Sequence, residues 1–275
     1  MIWVGLVLIL IAVILFWFSR RSADKVLYVK ATETSTIGSI QKLVSEVASD
    51  MGGQATGYKD YVEVKGRVVC DAPIRGELSD QLGAIVETEV IRVAERLEES
   101  RDAHGHIRST WRKHEETLSS NRRESPFCID DGTGRLNVKS NRSIELVKSF
   151  ERFQTEASQG FGGGQLNLAM GRFQLSLGGG GWDPTSSRTL GYKFIERILP
   201  VGKPVYAIGE AAVTEDEGLV LRTPTDDDKK KPFVLSPRTE EEIVKSAEKS
   251  AAVLKIIAAI LAAGGLALAV VGILR

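Results

Sequence analysis

Residues Ile2 to Phe18 read IWVGLVLILIAVILFWF, seventeen positions without a charge. At a rise of about 1.5 Å per residue, such a helix spans roughly 26 Å, slightly less than the ~30 Å hydrocarbon core of a bilayer. Trp3, Trp17, Arg20 and Arg21 suit the two interfaces, and arginine snorkelling covers the shortfall. A cleaved signal peptide fits poorly. No basic residue precedes the apolar run, and Phe16-Trp17-Phe18 stands where cleavage needs small residues.

A second uncharged run, Ile256 to Leu274, lies at the other end and is rich in Ala and Gly. Gly265 and Ala269 are four apart, a spacing that lets helices approach closely. It serves either an Ala-rich anchor or a homo-oligomer face. Neither run carries a polar stripe, which argues against buried core helices. The expectation is a two-pass integral membrane protein whose first partner is the lipid bilayer. Residues 1–19 form the N-terminal transmembrane helix, and 20–57 a linker with an amphipathic helix. Residues 58–238 form a mostly β (α+β) soluble domain with a Gly-rich hairpin insertion at 160–181. Residues 239–275 form a helix running into the C-terminal membrane segment. Arg20, Arg21, Lys25, Lys30, Lys245, Lys249 and Lys255 lie on the domain side of the apolar runs, so the positive-inside rule places the domain in the cytoplasm.

The 275 residues carry 36 basic and 36 acidic side chains. Balanced charge argues against gripping nucleic acid, which needs clustered excess Lys and Arg. Cys70 and Cys128 are too few for a disulfide framework. One bridge is open to them in an oxidising compartment; small buried thiols in apolar runs are the other reading.

Between the anchors, Ile37, Ile40, Leu43, Val44 and Val47 share one face of a helix over Thr36–Met51, capped by Ser35 or Thr36. From Tyr58 the period changes to two, and Tyr61–Val69 reads as a strand. Ile85–Leu97 alternates as a strand, with a helix as the alternative. Asp102–His106 is a turn, and Thr110–Leu118 returns as a strand. Asp130-Asp131-Gly132-Thr133-Gly134 joins Phe127–Ile129 to Arg135–Val138 as a hairpin. Ile144–Phe153 fits either strand or helix. Leu166–Met170 and Phe173–Leu177 form a small hairpin turning at Gly171. Val205–Ala212 and Leu219–Arg222 are strands, and Asp226–Lys231 is a charged loop. Thr239 with Glu242 makes a capping box for a helix that continues into the second apolar run. This strand grammar resembles a small OB-like barrel.

No catalytic, cofactor-binding or metal-ligating set assembles from these residues. His104 and His106 form an H-x-H pair with His114 nearby, which fits a surface turn better than a metal site. Asp130 and Asp131 fit a turn whose carboxylates accept backbone N–H bonds better than an acid pair or calcium ligands. The Gly160–Gly164 and Gly178–Gly181 runs lack the Gly-Lys-Ser/Thr of a phosphate loop. Arg122 and Arg123 form a basic spot, either a solvated loop or a contact to acidic headgroups.

Several blocks in order resemble the GIDE, or beside-a-membrane (BAM), domain. They are Gly66-Arg67-Val68, Pro73, Leu78-Ser79, Trp111, Ser125 to Gly134, Gly191 to Glu196, Ile198 to Ala211 and Pro232 to Ser236. The resemblance covers roughly Tyr58 to Ser236. It implies a membrane-anchored domain of the kind found in RING-type E3 ubiquitin ligases of mitochondria and chloroplasts. It is closest to prokaryotic-type members without the RING, which implies a prokaryotic cell membrane. In mitochondrial members the domain lies on the side opposite to the charge-bias reading. The implied role is protein interaction near the bilayer, with an unknown membrane-proximal partner and no catalytic residues to carry over. A binuclear RING needs eight Cys or His ligands, and this sequence offers two Cys and three His. Ubiquitin transfer would then need a RING from elsewhere, which leaves a ligase-system component as the second reading. Gly83-Ala84-Ile85-Val86-Glu87 departs from the relatives' Cys-Val-Tyr-Tyr-Arg.

Overall fold

A computed structural model describes residues 2–50, 52–53, 55–101, 106–139, 141–155, 158–159, 166–177, 187–225 and 231–273. The helices are α1 (Ile2–Ala31), α2 (Ile37–Asp50) and α3 (Glu240–Ile273). The strands are β1 (Lys59–Val69), β2 (Ile74–Arg75), β3 (Leu82–Arg101), β4 (Ile107–Glu124), β5 (Cys128–Asp130), β6 (Arg135–Val138) and β7 (Val147–Gln154). They continue as β8 (Ser158–Gln159), β9 (Leu166–Met170), β10 (Phe173–Leu177), β11 (Ser187–Pro200), β12 (Pro204–Thr214), β13 (Gly218–Arg222) and β14 (Val234–Ser236). The chain forms two compact units, one of Met1–Arg67, Cys128–Glu145 and Pro204–Arg275, the other of Val68–Phe127 and Leu146–Lys203.

The first unit holds a closed barrel. Hydrogen bonding runs β1-β5-β6-β13-β12, and β12 pairs back to β1. In the order these five strands occur along the chain, closure is first-second-third-fifth-fourth-first, with the third and fifth parallel. This is the Greek-key closure of an OB-like barrel. The Val-rich period of two is the local cause, since branched side chains suit a pleated, half-buried surface. Val62, Val64, Ile129, Leu136, Ala207 and Leu221 are buried. Gly66 permits closure where β1 meets β5: a Cβ there would stand 2.6 Å from the Ile129 Cγ2 and 2.7 Å from the Asp130 carbonyl oxygen.

The same unit contains the two long helices. Each is long and apolar enough to cross a membrane, with mean hydropathy 2.3 over Trp3–Arg20 and 2.4 at the most apolar part of Glu240–Gly272. They pack against each other antiparallel: Gly5 meets Gly265, and Ser19 Oγ donates to the Ala251 carbonyl at 3.0 Å. The buried positions repeat every seventh residue, Gly5, Ala12 and Ser19 on α1 against Ala251, Ala258 and Gly265 on α3. A heptad keeps one seam facing its partner, and small residues bring the backbones close. A Cβ on Gly5 would lie 2.7 Å from the Gly265 carbonyl oxygen and 2.9 Å from the Ala269 nitrogen. The Gly265–Ala269 pair noted in the sequence is therefore where α3 receives α1 of its own chain.

Helix α1 does not stop near residue 19 but continues to Ala31. No Gly or Pro interrupts residues 19–31, so nothing local ends it. The capping box starts α3 as expected: Thr239 N donates to Glu242 Oε2 at 3.2 Å, and Glu242 N to Thr239 Oγ1 at 3.3 Å. Thr36 Oγ1 accepts from Ser39 N at 3.2 Å and caps α2, which buries Ile37 and Ile40.

The second unit consists of the excursion between the first and second barrel strands and that between the third and fourth. Its main sheet runs β2-β3-β11-β7, with β4 also paired to β3. Both ambiguous segments are strands here, β3 for Ile85–Leu97 and β7 for most of Ile144–Phe153. The β9–β10 hairpin turns at Gly171, φ +58°. Its Leu166, Leu168 and Phe173 pack on Val90, Tyr192 and Phe194 of the sheet. The expected loops at Asp102–His106 and Asp226–Lys231 lie mostly outside the described residues, as do the glycine runs flanking the hairpin.

Candidate functional site at the foot of the barrel

Val62, Glu63 and Val64 are consecutive in β1, and all three are buried. Alternation therefore covers both faces of the strand. On the outer face lie Tyr206 and Ile208 of β12, packed with Tyr61 and with Ile243 and Val244 from the start of α3. Glu63 is in this layer, 1% exposed. One carboxylate oxygen accepts from Tyr206 Oη at 2.8 Å, the other from Thr34 Oγ1 at 2.5 Å, just beyond the end of α1. The Ser35 amide donates to the Glu63 carbonyl at 2.8 Å. Lys65 Nζ lies 3.1 Å from Glu63 and 2.9 Å from Glu240 in the first turn of α3. One buried carboxylate thus ties the exit of α1, the barrel and, through Lys65, the entry of α3.

The electrostatics follow from this geometry. Burial, and then the Glu63 carboxylate, push the Tyr206 phenol well above its ordinary value, so it stays a donor. The hydrogen bond to Glu240 holds the Lys65 ammonium above its usual range despite partial desolvation. Higher along the same helices, Lys30 pairs with Glu248 at 2.8 Å.

The Asp130–Gly134 motif holds the start of α2. Asp131 Oδ2 accepts the Ile37 amide at 2.7 Å, and Asp131 Oδ1 accepts from Thr133 N and Gly134 N. Gly38 N donates to Thr133 Oγ1 at 2.9 Å. Burial pushes the Asp131 carboxyl up, but these hydrogen bonds outweigh it and hold it below the usual range. Asp130 accepts the Gly132 amide and is lowered by it and by Arg135. This is the turn reading, extended by a helix cap donated from a distant hairpin.

A family model described as "GIDE: E3 Ubiquitin ligase" matches residues 95–272. The chain belongs to the GIDE family. Among curated relatives, "E3 ubiquitin-protein ligase SP1" of Arabidopsis thaliana is 28% identical over 191 residues, 68% of this chain and 48% of that protein. "E3 ubiquitin-protein ligase SPL1" of the same plant is 27% identical over 153 residues, 54% of this chain and 38% of that protein. The chain thus spans about half or less of the relatives it matches. No solved structure matches it.

The blocks that carry the GIDE resemblance have physical roles here. Gly66 permits barrel closure, Asp131 caps α2, and Tyr206 donates to Glu63. Glu196, which ends the Gly191–Glu196 block, is 0% exposed in β11. It accepts from Leu78 N at 2.9 Å, Ser79 N at 3.1 Å and Ser149 Oγ at 3.1 Å, and from Ser79 Oγ. Burial raises this carboxyl, and the hydrogen bonds lower it further than burial raises it. Gly76 lets the loop close on it, since a Cβ there would stand 2.4 Å from Glu196 Oε1.

Among the described residues, the remaining sequence candidates do not converge. His104 lies outside the described residues, and His114 is on exposed β4. Arg122 pairs with Glu87 and Glu124, and Arg123 with Glu77, so that basic spot is locally neutralised. Cys70 is a buried thiol and Cys128 a half-buried one, with no disulfide. Glu63 and Glu196 had no functional reading in the sequence. Their only signal is an acid set within a run of apolar neighbours, as in Val62-Glu63-Val64 and Phe194-Ile195-Glu196.

Proposed function

We propose that this GIDE chain is a membrane-fastened protein-interaction module, non-catalytic by itself, whose barrel is held at the bilayer surface by both helices. The Glu63 junction is the observation that carries this reading. It fixes the barrel to the polar ends of both long helices, the exit of α1 and the entry of α3, so partners are met in a layer beside the membrane. Confinement of that kind raises effective concentration without new contacts.

A second reading is favoured by the relatives being E3 ubiquitin-protein ligases: a component of a ubiquitin-ligase-like system. Within these 275 residues the five Cys and His cannot supply the eight ligands of a binuclear RING. In that reading transfer depends on a RING supplied elsewhere.

Crosslinking in intact membranes, followed by purification of the full chain, distinguishes the readings. The module reading expects specific membrane-proximal proteins to be captured, and the purified chain to form no conjugate when given E1, E2 and ubiquitin. Conjugate formation by the purified chain alone would contradict it.

A further inference from the structure

Strand β4 is 18 residues long, and its first eleven, Ile107–Thr117, are all exposed. Among the described residues it pairs with β3 and with no other strand. Its outer edge therefore presents a long row of backbone donors and acceptors, which is a template for another strand. The side chains along it read Trp111-Arg112-Lys113-His114-Glu115-Glu116-Thr117.

This pattern is self-complementary. If an identical strand is laid antiparallel with His114 opposite His114, Arg112 falls opposite Glu116 and Lys113 opposite Glu115. Symmetry repeats both pairs, and Trp111 lies opposite Thr117. Opposite charges and aromatic–β-branched pairs directly across strands are favourable, and like charges are unfavourable. The register is unique among near neighbours. A two-fold axis perpendicular to the sheet requires one residue to face its own copy. Moving that axis by one residue sets Lys113 against Lys113 or Glu115 against Glu115. We propose that β4 pairs edge to edge with β4 of a second copy of this chain, antiparallel, about a two-fold axis at His114.

The contacts these side chains make within one chain leave them able to do so. Arg112 pairs with Glu98 at 3.1 Å, and Lys113 approaches Glu115 at 3.8 Å, all four more than 40% exposed. Such exposed pairs exchange readily. Glu116 touches Arg92 at 3.3 Å with its own side chain 47% exposed, so its carboxylate can accept from a second arginine. The closed symmetry also accounts for the edge's composition: charges that oppose random edge pairing agree with one partner in one register.

The test uses the full chain in detergent. Mass measurement shows a dimer, and His114→Cys forms an interchain disulfide on mild oxidation. Arg108→Cys does not, because Arg108 faces Ser120 of the copy. Glu115→Lys, at an exposed position opposite Val93 rather than Arg92, weakens dimerisation by about tenfold or more. Lys113→Glu combined with Glu115→Lys restores it, because the swapped pair is again complementary. A monomeric wild type, equal crosslinking at positions 108 and 114, or a Glu115→Lys dimer as tight as wild type would each overturn the proposal.

Discussion

Glu63→Ala lowers the stability of the barrel unit by about 3 kcal/mol, read from denaturant or thermal unfolding of the detergent-solubilised chain. The reason is what the substitution leaves behind. Tyr206 is 2% exposed, and its hydroxyl donates to Glu63. Thr34 and Lys65 lose the same acceptor. Without the carboxylate, a buried phenol has no partner, and an unmet buried hydroxyl costs more than the average hydrogen bond contributes. Glu63→Gln keeps an acceptor for Tyr206 and costs less, about 1 kcal/mol. The pH dependence has a definite sign. Tyr206 and Lys65 both have raised values in the folded chain. Their contribution is full below their ordinary values near pH 10 and is lost as pH rises above them. If Glu63→Ala and Glu63→Gln unfold alike, at the wild-type midpoint, the junction does not hold the barrel as described.

Glu196→Ala has an effect of similar or larger size in the other unit, about 3–4 kcal/mol. Four donors converge on this carboxylate, from Leu78, Ser79 and Ser149. Its removal frees the loop over Gly76–Gln81 and leaves a void where a fully buried side chain stood. Here the sign is the reverse of that at Tyr206. Hydrogen bonding holds Glu196 below its ordinary value, so its contribution is full above about pH 4.3 and falls as pH drops through the lowered value. The stability difference between wild type and Glu196→Gln should therefore shrink on acidification and be constant near neutrality. A difference that grows below pH 4 would contradict the assignment.

Much of the architecture was legible in the chain. Uncharged runs declare the long helices, Thr239 and Glu242 declare the start of α3, and alternation declares β1, β12 and the hairpins. Less legible was whatever depends on partners distant in sequence. Val62-Glu63-Val64 alternates like a half-buried strand with Glu63 turned to solvent, and the segment after α1 together with the start of α3 covers the acid on that face. Asp131 announces a turn, but its bond to Ile37 lies 94 residues away. The division into two units was hidden because the second unit is built from two excursions of the barrel strands, and no composition shift marks their ends. The heptad of Gly5, Ala12 and Ser19 is plain in retrospect. It carries meaning only beside Ala251, Ala258 and Gly265.

The proposed anchoring has α1 and α3 together hold the chain in a bilayer. Alkaline carbonate washing of membranes containing the full chain tests this most directly. High pH strips peripheral proteins but leaves a bilayer-spanning helix pair in place. The account predicts that the intact chain stays in the membrane pellet, including in the Glu63→Ala variant. Release of the intact chain into the supernatant would contradict it.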